Sequence, residues 1–200
     1  GINLSGSVAI ADNFYISGIY RKADLRAENI FFGSEIRGET DFDYRNLNFG
    51  YHRSLNANND LIAEIGYEYN KFDTQFFVDD VLDSQSESSY GNYRVAIGLR
   101  TNLTDKLETL AKLGLKESNG GYFDVRPTIE LGVVYKINPN WAMNFDTKMD
   151  SFGISRYGLG VRAYFGTEKD SSSTRPSPSD AEFSYTYVQV GISGFERIYD

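Results

Sequence analysis

The 200-residue chain predicts an all-β fold: a closed antiparallel up-and-down transmembrane β-barrel of about ten strands. Three observations lead to this class. Apolar and polar residues alternate with a period of two along most of the chain, and polar connections of alternating length separate the runs. Aromatic residues are also frequent for a polar chain, with 15 Tyr, 14 Phe and 1 Trp.

The clearest alternating run extends from Val125 to Lys136, where odd positions are mainly apolar and even positions mainly polar or small. These two sets point to opposite faces of a strand, whereas a helix would mix them. The same split predicts strands at 61–70, 93–100, 107–116, 141–148 and 157–165, and weaker ones at 2–10, 14–21, 44–53 and 183–193. Lengths of about ten residues are those that a tilted membrane strand requires.

The connections between these strands alternate in length. Short polar turns are predicted at 11–13, 56–60, 102–106 and 138–140, and longer loops at 22–42, 73–89 and 117–124. Short turns at one rim and long loops at the other are typical of outer-membrane barrels, with the short turns in the periplasm.

Alternation alone does not say which face of the barrel points inward. The polar face also carries Gly, Ser, Ala and Asn, which favours a crowded lumen, and aromatic residues near strand ends suit a lipid interface. The predicted membrane girdle consists of Tyr67, Tyr69, Tyr93, Tyr135, Trp141, Tyr157 and Phe165. The competing class is a soluble ligand-binding barrel with an apolar interior, which detergent-dependent solubility would distinguish.

Charged residues on the polar face predict a salt-bridged lumen, because an unpaired charge in a narrow interior is costly. The predicted lumen charge network consists of Glu64, Glu68, Arg94, Arg100, Glu108, Lys112, Glu130, Asp146, Lys148 and Arg162. Barrels of about eight strands are filled by side chains, so about ten strands leave at most a narrow pore. Replacing Arg94 or Arg100 with Ala is expected to raise single-channel conductance if these residues plug the lumen.

The segment 156–165 has the sequence Arg-Tyr-Gly-Leu-Gly-Val-Arg-Ala-Tyr-Phe, which resembles the last strand of bacterial outer-membrane proteins. The resemblance implies a signal for the outer-membrane assembly machinery, carried by Tyr157, Gly158, Leu159, Gly160, Val161 and Phe165. Here the strand is followed by a Ser/Pro/Asp-rich stretch, 166–182, with the composition of a flexible linker, and then by the strand at 183–193.

Joining the end of the chain to its start would make 183–193 the first strand and 2–10 the second. In that order the chain resembles the opacity-protein and OmpA-like barrel superfamily, on the Gly-Ser-Val-Ala-Ile-Ala-Asp-Asn-Phe-Tyr stretch from Gly6 to Tyr15. A circularly permuted single domain is therefore expected, with strands two to ten in 1–165, a linker joining the original ends in 166–182, and strand one with part of an external loop in 183–200. The alternative is an ordinary chain with an extra C-terminal strand. Permutation requires 183–193 to pair with both 2–10 and 156–165.

Enzymatic alternatives centre on His52, the single His of the chain. Omptin proteases use an Asp-x-His pair, which Gly50-Tyr51-His52 lacks. Barrel deacylases and palmitoyltransferases need a His and a Ser together at the rim opposite to the one expected for His52 and Ser54. A structural, hydrogen-bonding His is the expectation, because a base and a nucleophile must meet in the right geometry.

Metal binding would have to use the acidic loop residues. Asp41, Asp43, Asp79, Asp80, Asp83 and Glu87 lack the spacing of a calcium loop. They are expected to be solvated loop charges. The chain has no Cys, which excludes disulfides and thiolate metal sites, and no cofactor is predicted.

These observations and the resemblance together imply a non-enzymatic, monomeric protein of the bacterial outer membrane, surrounded by lipid or detergent. Nucleic acid is excluded as a partner by the net charge of -8. The function is then surface interaction through long external loops or narrow solute passage. Apolar residues at 29–32 and at Phe76 and Phe77 are either partner contacts or parts of strands that extend above the membrane.

Overall fold

A computed structural model describes residues 1–31, 34–118, 124–150, 154–165 and 186–197. Within these ranges the chain forms ten strands. They are β1 (Ile2–Ala11), β2 (Phe14–Phe31), β3 (Ser34–Asn56), β4 (Asn59–Val78), β5 (Val81–Asn102), β6 (Leu107–Ser118), β7 (Asp124–Asn138), β8 (Trp141–Asp150), β9 (Ile154–Phe165) and β10 (Thr186–Arg197). No helix of the described residues is long and apolar enough to cross a membrane.

The ten strands form one closed antiparallel barrel in which each strand pairs with its neighbours in the chain. β10 closes the ring, because it pairs with β9 from Thr186↔Phe165 to Arg197↔Ile154 and with β1 from Ile2↔Ile192 to Ser7↔Tyr187. The up-and-down barrel predicted from the alternating pattern is thus confirmed. Where a strand pairs on both sides, its backbone N–H and C=O groups have partners and no sheet edge is exposed.

Strand lengths divide the barrel into a tall part and a short part. β2 to β5 have 18, 23, 20 and 22 residues, whereas the remaining described strands have 10 to 15. The predicted short turns are present at 12–13, 57–58, 103–106 and 139–140, all at one rim. The tall strands therefore project from the opposite rim.

The prediction of long loops at 22–42 and 73–89 is wrong, because the described residues of both segments, apart from the turn at Asp79 and Asp80, belong to paired strands. β2 and β3 pair without interruption from Phe14↔Tyr51 to Phe31↔Ser34. β4 and β5 pair up to Val78↔Val81, with one irregularity after Phe76. The third predicted loop, 117–124, lies partly outside the described residues.

The turn between β4 and β5 explains why the second extension was missed. Asp79 and Asp80 both have positive φ angles, of 48° and 64°. Two such residues make the two-residue turn that suits the twist of a hairpin, a position where Asn-Gly or Asp-Gly is the usual signal. The turn is fixed to β3, because the Glu35 amide donates to Asp79 Oδ1 at 2.9 Å and Arg37 contacts Asp80 Oδ1 at 2.5 Å.

The neighbours that permutation requires for β10 are present, since it lies between β9 and β1. Phe165 and Thr186 lie at the short-turn rim, whereas Ile2 and Arg197 lie at the opposite rim. Any closed barrel with this strand order also pairs its first and last strands, so the permutation stays a prediction. The proposed linker, 166–182, lies outside the described residues.

Candidate functional site

The outer face of the barrel is apolar and exposed. Leu113 is 63% exposed, Ile65 57% and Ile97 56%, and outward positions on every strand are similar. The inward positions of the same strands are polar and buried, such as Glu68 and Asn92 at 0%. This is the reverse of a soluble barrel, so the soluble ligand-binding alternative is excluded.

All seven residues of the predicted membrane girdle have the outward parity of their strands. Tyr135, Trp141 and Phe165 lie at the short-turn rim, where β7 ends, β8 begins and β9 ends. Tyr67 and Tyr93 lie toward the tall rim with their ring centroids 5.3 Å apart, and Tyr69 and Tyr157 lie at the same end of β4 and β9. The two groups are placed as two interfacial girdles would be, and contact with lipid headgroups stays a prediction.

Glu130, on β7, is the centre of the lumen charges. Its carboxylate contacts Lys112 at 2.8 Å, Arg94 at 2.9 Å and Lys148 at 3.1 Å. Lys112 and Arg94 also contact Glu64, at 2.9 and 3.4 Å. These contacts join neighbouring strands of one side of the barrel.

Glu68 extends this cluster upward toward the tall rim. Its carboxylate contacts Lys148 and, at 3.6 Å, Lys116, and it accepts a hydrogen bond from the Tyr44 hydroxyl at 3.1 Å. We call the resulting group the central cluster. It comprises Glu64, Glu68, Arg94, Lys112, Lys116, Glu130 and Lys148.

The other four residues of the predicted network lie outside the central cluster. Arg100 contacts Glu108 at 3.7 Å and also Asp60 at 3.1 Å, next to the short turns. Asp146 pairs with Arg21 at 2.8 Å. Arg162 hydrogen-bonds Gln189 at 3.4 Å and lies 4.2 Å from the centre of the Tyr187 ring.

Three side-chain contacts cross the lumen between strands that are four places apart in the ring. Lys148 on β8 reaches Glu68 on β4, and Arg21 on β2 reaches Asp146 on β8. Arg156 on β9 lies 4.8 Å from the ring centre of Tyr44 on β3. We call them the cross-lumen bridges. They close the upper lumen, where Glu68, Asn70 and Asn92 have no exposed surface.

The wall formed by β10, β1 and β2 is different, because short uncharged side chains line much of it, beside Tyr15, Arg21 and Tyr187. A cavity of about 210 Å³ lies between this wall and charged side chains of the opposite side, among them Arg94, Lys112 and Glu130. We call the short polar inward residues of this wall, Asn3, Ser5, Ser7, Ser17 and Gln189, the serine wall. A polar cavity of this size has room for several water molecules.

Glycines on the opposite side make room for the charged side chains. A Cβ at Gly98 would lie 2.5 Å from the backbone oxygen of Ala111 and would overlap the Lys112 side chain. A Cβ at Gly114 would lie 2.7 Å from Thr128 Oγ1. Small and large inward residues therefore alternate, as in other narrow barrels.

Sequence reasoning missed several lumen residues. Arg21 and Arg156 stand at the ends of the predicted strands, Asp60 was placed in a turn, and Lys116 was left out although its parity is inward. Tyr15, whose hydroxyl donates to Glu64 at 2.7 Å, was also missed. Its position on the inward face of β2 could have been inferred from the alternating pattern.

The alternative sites are not supported by the described residues. His52 is buried next to Tyr15, with ring centroids 6.4 Å apart, and Ser54 donates to Asp60 at 2.8 Å. Among the described side chains, no three His, Cys, Asp or Glu residues are placed to hold a metal ion. Of the loop acids, Asp80 pairs with Arg37 and Glu87 with Lys71.

The predicted assembly-signal strand is β9. Its residues Tyr157, Leu159, Val161 and Phe165 are exposed on the outer face, and Gly158 and Gly160 face inward. Its recognition by assembly machinery stays a prediction.

An apolar exterior, a polar lumen and short turns at one rim define a transmembrane β-barrel. No protein-family model and no curated protein matches the chain. Among solved structures, it is similar to the KdgM porin, with 13% identity, a TM-score of 0.41, and 100% of this chain and 99% of that chain covered. It is also similar to the translocator domain of the autotransporter NalP from Neisseria meningitidis, with 10% identity, a TM-score of 0.40, and 98% of this chain and 86% of that chain covered. A third similar structure is Acinetobacter baumannii CarO, with 14% identity, a TM-score of 0.29, and 97% of each chain covered. The fold assignment itself rests on the strand pairing.

Proposed function

We propose that this protein is a monomeric, non-enzymatic barrel of the bacterial outer membrane that gives small solutes a narrow, gated passage. The observation that carries the proposal is the set of cross-lumen bridges next to a polar cavity. In this proposal the cavity is the lower part of the path, and the bridges are its gate. The assembly machinery would insert the barrel, with the short turns in the periplasm.

The outer-membrane location is supported by the surface. The exposed apolar residues occur on strands of the length that a tilted membrane strand needs. In hydrocarbon every backbone polar group needs a partner, and a closed barrel provides one without a helix.

Passage is supported by the kind of closure. The bridges are made by long, flexible side chains rather than by an additional strand or helix among the described residues. Such side chains can leave a bridge by changing rotamer while the backbone pairing stays intact. The path can therefore open without a change in the strands.

The test compares two lysines that each contact two glutamates. Lys148 crosses the lumen to Glu68, whereas Lys112 contacts Glu64 and Glu130 on strands of its own side. Lys148→Ala should raise single-channel conductance in planar bilayers roughly severalfold, because it removes part of the closure. Lys112→Ala should raise it much less.

Wild-type protein should show small, flickering currents. Equal effects of the two substitutions would contradict gating by the cross-lumen bridges. The passage function itself would be wrong if the wild-type and Lys148→Ala proteins, both shown to be folded by heat-dependent gel mobility, carried no current.

A second proposed function, surface interaction, is favoured by the tall hairpins. At the end of the β4–β5 hairpin, Val81 is 68% exposed, Leu82 51% and Phe76 43%. Replacing 73–87 with a two-residue turn should reduce adhesion of cells carrying the protein to an epithelial layer, with conductance unchanged. Unchanged adhesion at equal surface amounts would exclude this function for the hairpin.

A further inference from the structure

We propose that the upper lumen binds small inorganic anions and makes the passage anion-selective. This inference rests on the proposed passage and names the solute class that it admits. The residues concerned are Arg94, Lys116, Lys148 and Arg156, which we call the upper basic layer. They lie on β5, β6, β8 and β9, near the fully buried side chains of Glu68, Asn70 and Asn92.

The strand register places like charges directly opposite one another in this layer. Arg94 is the cross-strand partner of Lys116, and Lys148 is the partner of Arg156. Arg126 continues the first row, because it is paired with Lys116. Directly opposed like charges destabilise a sheet unless opposite charges lie nearby, and here Glu68 and Glu130 contact Arg94, Lys116 and Lys148.

The layer is buried as well as basic. Arg94 is 4% exposed, Lys116 5% and Arg156 6%. Charges removed from water require opposite charges nearby. Glu64, Glu68 and Glu130 offset part of the charge of the layer, and the positive charge that remains raises the affinity of this space for anions.

The described part of the lumen is positive as a whole. Among the inward side chains that the structure describes, ten contribute positive charge: Arg21, Arg94, Arg100, Lys112, Lys116, Arg126, Lys136, Lys148, Arg156 and Arg162. Six contribute negative charge: Asp60, Glu64, Glu68, Glu108, Glu130 and Asp146. The chain as a whole has a net charge of -8, so positive charge is concentrated inside.

Neutral donors beside the layer provide a second, independent indication. Both the amide nitrogens and the amide oxygens of Asn70 and Asn92, and the Thr128 hydroxyl, are buried and have no hydrogen-bond partner among the described residues. The same holds for Arg94 Nε. All four side chains face inward near the layer, and a small anion accepts hydrogen bonds from their N–H and O–H groups.

The test is the reversal potential of wild-type channels in a KCl gradient across a planar bilayer. The potential should be displaced toward the chloride equilibrium potential, because the basic layer favours anions. Lys116→Gln and Arg156→Gln should each reduce the displacement by roughly a quarter, since each removes one of four charges from the layer. Reading the potential separates selectivity from any change in conductance.

Arg45→Gln is the matched control. Arg45 is a cation of the tall rim that faces outward, with 64% of its side chain exposed beside Asp43. It should leave the reversal potential unchanged, because a charge outside the barrel is screened from the lumen. A wild-type channel that prefers potassium or shows no preference overturns anion selectivity and leaves the passage function standing.

A second measurement decides the inference if no current is detected. Crystals of the wild-type protein soaked in sodium bromide should show anomalous scattering among the residues of the upper basic layer, and crystals of the Lys116→Gln variant should show less. Bromide absent from the lumen of the wild-type protein would overturn the inference, whatever the bilayer measurements give.

Discussion

The two sides of the lumen differ in composition and in what holds them together. On β4 to β8, long charged side chains of the central cluster fill the interior, and Glu130 alone contacts three cations. The serine wall on β10, β1 and β2 carries short uncharged side chains beside a cavity of about 210 Å³. Both sides have the same alternating outer face and the same hydrogen-bonded backbone.

The difference shows that the fold depends on the backbone and the outward residues of each strand, whereas the properties of the lumen depend on the inward residues of the same strands. The ring is closed by backbone pairing, and its lipid contact depends on the outward positions. The inward positions are free to differ, so one side closes the lumen with ion pairs and the other leaves space for water. Substitutions on the two sides should therefore have opposite consequences.

The largest effect is expected for Glu130→Gln, on the charged side. The substitution keeps the shape of the side chain but leaves Arg94, Lys112 and Lys148 without a shared carboxylate. Removing one member of a buried ion network lowers the free energy of unfolding by about 3 kcal/mol. Urea unfolding in phospholipid vesicles, followed through the fluorescence of the single Trp, Trp141, would measure it.

Glu87→Gln is the control for this prediction, because Glu87 pairs with Lys71 at 2.9 Å on the exposed part of the tall strands. It should unfold at the same urea concentration as the wild type, since exposed ion pairs stabilise little. An equal loss in the two variants would mean that the central cluster is no more important for stability than a surface pair.

Much of the fold could be predicted from the sequence, because a strand buried on one face leaves a period-two pattern. The run Val125 to Lys136 gave β7, Asp124–Asn138, almost completely. The tall parts of β2 to β5 were missed, because both faces of these segments carry polar or mixed side chains. Apolar and polar residues therefore do not alternate clearly there. The Asp79–Asp80 turn lacks the glycine that usually marks such a hairpin.

The site could be predicted only as a set of residues that share a face. Parity identified Glu64, Lys112 and Glu130 as inward, and they are in contact. Which inward charges meet across the lumen depends on the register and tilt of strands that are distant in the sequence. The contact between Arg21 and Asp146, separated by 125 residues, has no local signal.

The smallest effect on stability is expected on the serine wall, for Ser17→Leu. Ser17 lines the cavity, and its hydroxyl accepts one long hydrogen bond, at 3.4 Å, from Asn48. A larger side chain can extend into the cavity without displacing packed neighbours, so the free energy of unfolding should change by less than about 1 kcal/mol.

The same substitution should nevertheless reduce passage. Introduced into the Lys148→Ala protein, in which we expect the largest current, Ser17→Leu should lower single-channel conductance roughly twofold, because it narrows the lower path and excludes water from it. Ser17→Ala in the same background is the control, since it removes the hydroxyl without adding volume, and it should leave the current nearly unchanged. If Ser17→Leu left the current intact, ions would have to pass elsewhere, and the cavity against the serine wall would not be part of the path. If Ser17→Leu reduced conductance without changing the free energy of unfolding, the serine wall would line the path. If Glu130→Gln lowered the free energy of unfolding, the charged side would be the part of the lumen that stabilises the barrel.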